Sequence, residues 1–153
     1  MTMTASARSI GGALRHEVDV NGRHLITTDE PTALGGTDAG PAPHELLGAA
    51  LASCVSTMIV MYARARDWDL DDVYVDVAYD TDATPRRVQV DVHLPSGLTS
   101  DQVMRLRRVA ANCPVRRALE AGFECTEHIE LDLPPADSPV VPSEAAGGGR
   151  RSG

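Results

Sequence analysis

Residues 45–66 read ELLGAALASCVSTMIVMYARAR. Leu47, Ala50, Leu51, Cys54, Met58 and Tyr62 recur at three- and four-residue spacing, the repeat of one helical face. The opposite face is hardly more polar, because the 18 residues from 46 to 63 carry no charge. That run touches the length of a membrane span, roughly 18–20 apolar residues. Half of it is small or weakly polar, however, and no second apolar stretch accompanies it, so a core helix is the better reading and no membrane role is expected. A helix apolar all round needs neighbours on every side. One small sheet cannot supply them, so the pattern predicts a second copy of the chain, an obligate homodimer with central helices packed together.

Downstream, Val73, Val75, Val77 and Tyr79 alternate with polar positions, and Val88, Val90, Val92 and Leu94 do so again. These are two strands, the second antiparallel to the first, joined across residues 81–85. Thr99 or Ser100 can cap the next helix, over 101–112, with Val103, Leu106 and Ala110 facing the core. Proline is poorly tolerated inside a helix but well placed at its start, so Pro114 begins a further short helix through 121, with Cys113 at or beside its N-cap. Residues 127–133 alternate as a last strand. Upstream, residues 14–28 are broken by Asn21-Gly22, the dipeptide of a type I′ hairpin turn. Residues 29–43, rich in Pro, Gly, Thr and Asp, form a loop of tight turns. The order of hairpin, long helix, hairpin, helix pair and strand is α+β. One domain is expected over 14–133, between a flexible arm at 1–13 and a disordered tail at 134–153.

The chain has 153 residues, 42% hydrophobic and only 3% aromatic, with a net charge of −8 and no lysine. A Schiff-base or P-loop lysine is therefore excluded, and the acidic balance argues against a nucleic-acid footprint. Residues 1–8 lack the apolar core of a secretory signal, so a cytoplasmic setting is the default expectation. The five histidines show no metal-ligand spacing, and three cysteines without a Cys-x-x-Cys fit neither a zinc site nor a disulfide framework. No metal and no bound cofactor are expected.

The thiols differ in setting. Cys54 lies mid-helix among small residues, where burial raises its pKa and leaves it inert unless a cation or donor reaches it. Cys113 precedes a helix N-terminus, whose unpaired N–H groups favour a thiolate, and Arg116 and Arg117 follow. For each, a buried structural thiol and a reactive one remain alternative readings. Cys125, without such neighbours, reads as structural.

The run Asp29-Glu30-Pro31, Gly35-Gly36-Thr37-Asp38-Ala39-Gly40-Pro41-Ala42-Pro43-His44-Glu45-Leu46-Leu47, then Cys54, then Asn112-Cys113-Pro114-Val115, resembles the OsmC/Ohr family of osmotically inducible and organic hydroperoxide resistance proteins. The resemblance covers about residues 14–133. It implies antiparallel sheets around long central helices, an intertwined homodimer, and thiol-dependent reduction of organic hydroperoxides. It carries the peroxidatic cysteine onto Cys54 and the resolving cysteine onto Cys113, with an external dithiol, such as a lipoyl-type dithiol, as reductant. It also implies an arginine from the first strands, Arg15 or else Arg23, oriented by a glutamate. In the Ohr branch that glutamate stands ten residues before the cysteine, where this chain has His44. Glu45 is one helical step away and reads either as that orienting residue or as an acid favoured at a helix N-terminus. A redox-sensing or small-ligand-binding module with little turnover is the alternative to a peroxidase.

Overall fold

The computed structural model describes residues 2–11, 13–70, 72–129 and 131, which fall into two compact units, Met1–Pro43 with His128–Gly153, and His44–Glu127. In the first unit β1 (Ala5–Ser9), β2 (His16–Val20) and β3 (His24–Thr28) form an antiparallel sheet in that order. Asn21 and Gly22 both take left-handed φ, 58° and 65°, and the Arg23 N–H donates to the Val20 carbonyl, closing the type I′ turn expected from the sequence. β1 corrects the expected loose arm. Its small polar residues show no apolar alternation, and it is a strand because β2 offers an edge, pairing Ala5 with Val20 through Ser9 with His16.

The loop after β3 is organised by Asp29, which is 1% exposed. Its carboxylate accepts the N–H groups of Glu30, Thr37 and Ala39 at 2.9, 2.9 and 3.2 Å, and the Thr37 hydroxyl at 2.6 Å. The Thr37 hydroxyl foremost, with the three N–H donors, outweighs desolvation and lowers its pKa from 3.8 to about 2. A Cβ at Gly36 would overlap the Glu30 carbonyl, and one at Gly40 the Thr27 carbonyl, so both positions demand glycine. A depressed carboxylate pKa contributes stability that is present above the ordinary value and lost as pH falls through the folded one. Asp29→Asn will lower the melting temperature by several degrees at pH 7 and flatten the loss of stability between about pH 4 and pH 2. Parallel melting curves for wild type and variant would count against this.

The second unit is built on α1 (Pro43–Arg64), which starts on proline, as first helical turns allow. It ends in a Schellman closure, in which Asp67 takes φ 54° and the Trp68 and Asp67 N–H groups donate to the carbonyls of Ala63 and Arg64. Leu51, Val55, Ile59 and Ala63 are 1–2% exposed along one face, while Met61 on the other is 61% exposed. By length and hydropathy α1 could cross a membrane, but here its buried face is the centre of the core.

β4 (Tyr74–Asp80) and β5 (Arg87–His93) pair antiparallel, Tyr74 opposite His93 and Asp80 opposite Arg87, and send Val75, Val77, Val90 and Val92 to the core around α1. α2 (Ser100–Ala111) carries a full capping box, with the Thr99 hydroxyl accepting the Gln102 N–H and the Gln102 side chain accepting the Thr99 N–H. α3 (Pro114–Ala121) has Pro114 at its first position and Cys113 as N-cap. The architecture is mixed α+β, with antiparallel sheets and one long helix. The expected last strand is not formed over residues 127–129, and Ile129 is 93% exposed. Alternation makes a strand only where an edge takes up its backbone groups. Glu130, residues 132–133 and the expected tail lie outside the described residues.

Candidate functional site

α1 and the junction of α2 with α3 bring two thiols together. Cys54 sits three residues after Leu51 and one before Val55, on the flank of the buried face of α1, and is half-buried. Cys113 is 0% exposed, held in the core between the last turn of α2, where its N–H donates to the Ala110 carbonyl, and the first turn of α3. Cys54 packs against the buried cluster that holds Cys113, close enough that the Cys113 thiol and the Val115 N–H both act on its ionisation. Both thiols are free.

The local sequence explains that donor. Pro114 carries no N–H, so the first helical amide available at the start of α3 belongs to Val115, one of those that no carbonyl within the helix can satisfy. The amide expected from the sequence to serve Cys113 thus serves Cys54. Burial pushes the Cys54 thiol above its ordinary value, the Cys113 thiol adds to the rise, and the Val115 N–H opposes it. Among the described residues no arginine is among the causes acting on Cys54. Arg116, in the first turn of α3, is engaged with Glu120 at 2.8 Å.

Glu45 stands in the first turn of α1 and lines a cleft of about 390 Å³ with His44, Gly48, Ala52 and Tyr79. The His44 and Tyr79 rings are 6.3 Å apart there. Nine residues of α-helix amount to about 180° of rotation and roughly 13–14 Å of rise, so within one chain α1 directs Glu45 away from Cys54. Arg15 belongs to the first unit, at the turn between β1 and β2, where its carbonyl accepts the Ile10 N–H, and Arg23 closes the β2–β3 turn. Cys125 is exposed. Among the described residues no group of three His, Cys, Asp or Glu is placed to hold a metal ion.

Chemically, two neighbouring thiols, one on a helix flank and one buried at the junction of two helices, are the groups that thiol–disulfide exchange uses. The class is an α+β protein with two free cysteines brought together on α1 and at the α2–α3 junction. Residues 36–128 match the family model described as OsmC-like protein, and the chain belongs to that family.

Solved structures agree. One from Psychrobacter arcticus, provisionally named an osmotic stress induced and detoxification response protein, is 28% identical with a TM-score of 0.65, covering 77% of this chain and 88% of that one. An organic hydroperoxide resistance protein OsmC from Legionella pneumophila is 26% identical with a TM-score of 0.60, covering 78% and 89%. An OsmC like protein from Mycoplasma pneumoniae, 18% identical with a TM-score of 0.57, covers 78% and 86% and shares the fold. None of the curated proteins compared matches the chain significantly.

Proposed function

We propose that this protein is a thiol-dependent peroxidase that reduces organic hydroperoxides to alcohols, with Cys54 as peroxidatic and Cys113 as resolving cysteine. The observation that carries the reading is the proximity of the two thiols, Cys54 packed against the buried cluster that holds Cys113, with the Val115 N–H acting on Cys54. The Cys54 thiolate attacks the distal peroxide oxygen, the O–O bond breaks, and the alkoxide leaves with a proton as alcohol, giving a sulfenic acid. The Cys113 sulfur then displaces hydroxide, which departs as water, and a disulfide forms. An external dithiol of lipoyl type reduces it by exchange and is itself oxidised to a disulfide. The apolar setting of Cys54 favours organic hydroperoxides over hydrogen peroxide. Arg15, or else Arg23, supplies the cation that a buried thiolate needs, with Glu45 orienting it; since α1 turns Glu45 away from Cys54 in its own chain, Glu45 serves the site of the second copy, and a cytoplasmic, reducing setting suits the cycle.

The working form in this reading is a homodimer. α1 leaves Ala50, Ser53, Thr57 and Met61 exposed in an uncharged row, and a second α1 is the natural cover for it. Sedimentation should give twice the 16.2 kDa of one chain. The same preparation should consume cumene hydroperoxide continuously with a lipoyl dithiol. A single-chain mass at micromolar concentration removes the dimer from the proposal.

A second reading is a redox-sensing or small-ligand-binding module with little turnover, since the raised pKa of Cys54 leaves little thiolate at neutral pH to sustain a fast cycle. Steady-state kinetics separates the two, because a sensor consumes about one equivalent of hydroperoxide and stops.

A further inference from the structure

The Asn21-Gly22 dipeptide closes the β2–β3 hairpin, and the thiol chemistry makes no use of it. Of the two asparagines in the chain, only Asn21 precedes a glycine. Asparagine is a thermolabile residue. A following glycine, having no Cβ, leaves its backbone nitrogen unhindered beside the asparagine side chain. Deamidation joins these two groups. The Gly22 nitrogen bonds to the side-chain carbonyl carbon of Asn21, the bond from that carbon to the amide nitrogen breaks, and ammonia leaves with the proton that Gly22 gives up. Water then opens the resulting succinimide at one carbonyl or the other, giving aspartate or isoaspartate. A Cβ at Gly22 would meet nothing within 4 Å, so water has access to the turn.

The closed sheet keeps both reacting groups engaged elsewhere. Asn21 Oδ1 accepts the Thr4 N–H at 2.9 Å, and the Asn21 N–H donates to the Thr4 carbonyl at 2.9 Å, so the residue before β1 clasps Asn21 on both sides. The Gly22 N–H donates to the Asp19 carboxylate at 2.6 Å. Closing the succinimide ring requires an Asn21 ψ of about −120°, whereas a type I′ turn holds that torsion near +30°. Reaction therefore demands that the Thr4 clasp, the Asp19 contact and the turn bond from Arg23 to Val20 all open. β1, an edge strand of small and polar residues, is the part of this sheet that local opening removes first.

We propose that Asn21 is a gated modification site, a deamidation site that the docked β1 and the Asp19 carboxylate keep closed and that reacts when β1 leaves β2. Isoaspartate is the consequential product. It routes the chain through the side chain and adds one methylene to a two-residue turn, so the pairing of Val20 with His24 is lost together with the Thr4 clasp. Modification makes the release of β1 permanent, and neither thiol takes part in it.

The full-length protein is aged at neutral pH with and without urea, and trypsin then releases residues 16–23, in which mass and retention separate the asparagine, aspartate and isoaspartate forms. The folded protein should react about tenfold or more slowly than the urea-unfolded chain, the factor that an opening equilibrium imposes. Thr4→Pro removes the N–H on Asn21 Oδ1, and Asp19→Ala removes the acceptor of the Gly22 N–H. Each should speed the reaction of the folded protein about fivefold, the worth of one hydrogen bond, and leave the rate in urea unchanged. Hydrogen exchange over residues 5–9 should be fast in the isoaspartate form and slow in the parent.

Equal rates in folded and unfolded protein would overturn the proposal, as would an isoaspartate form whose β1 amides stay protected. A slower reaction in Asp19→Ala would also overturn it, because the carboxylate would then be acting as a base on Gly22 and not as a guard. Melting curves show whether each variant is folded; if Thr4→Pro is not, Asp19→Ala decides.

Discussion

Replacing Cys54 by serine will lower dithiol-driven consumption of cumene hydroperoxide by at least about a thousandfold, because a serine hydroxyl forms no comparable nucleophile at neutral pH. Serine preserves the shape of the site, so the melting curve should change little and loss of rate cannot be ascribed to unfolding. Cys113→Ser is expected to differ in kind. The first oxidation at Cys54 proceeds, but no thiol stands by to condense with the sulfenic acid, which advances to the sulfinic state and can be read by mass spectrometry. Both variants are best made with Cys125→Ser, which removes the exposed thiol. Burial raises the Cys54 pKa, so the rate of the first oxidation should climb with pH through the neutral and mildly alkaline range as the thiolate fraction grows. Unchanged turnover in Cys54→Ser would end the peroxidase reading.

Ile59→Ala should be the most damaging single truncation in the core, costing about 3–4 kcal/mol. Ile59 is 1% exposed and belongs to the buried cluster with Leu51, Val55, Leu106 and Cys113. The loss combines the transfer energy of the deleted methyl and methylene groups with the cavity they leave. Against a total stability of about 5–15 kcal/mol for a domain, that is a large share. Met61→Ala, two residues on but on the exposed face, should change the stability of a single chain by about half a kcal/mol or less. Urea unfolding of the two variants tests the contrast. Similar losses would mean that the Met61 face is covered in solution, as a dimer requires.

Helices and inner strands were legible because their signals are local. The three- and four-residue repeat around Leu51, the Thr99 cap, Pro114 at a helix start and the Asn21-Gly22 turn each fix backbone geometry from neighbouring residues. β1 was not legible, since Ala5–Ser9 becomes a strand only through the edge of β2. The last strand failed for the converse reason, its alternation having no paired edge over residues 127–129. In the site, Cys54 and Cys113 could be singled out by type and position. The Val115 amide could not, because backbone donors leave no mark in side-chain identity; its one signal was the proline before it. Asp29 reads in the sequence as one residue of a turn-rich motif run, and only its burial and four donors make it the centre of that loop.

By itself, the sequence determined an acidic α+β chain built on one uncharged helix, with a motif run that resembles the OsmC/Ohr family, because periodicity, capping and motif spacing are properties of neighbouring residues. Only the tertiary structure decided that Cys54 meets Cys113 and the Val115 amide, and that α1 turns Glu45 to its other side. Those contacts join residues dozens of positions apart, and the burial and charge they create depend on which helix faces pack together.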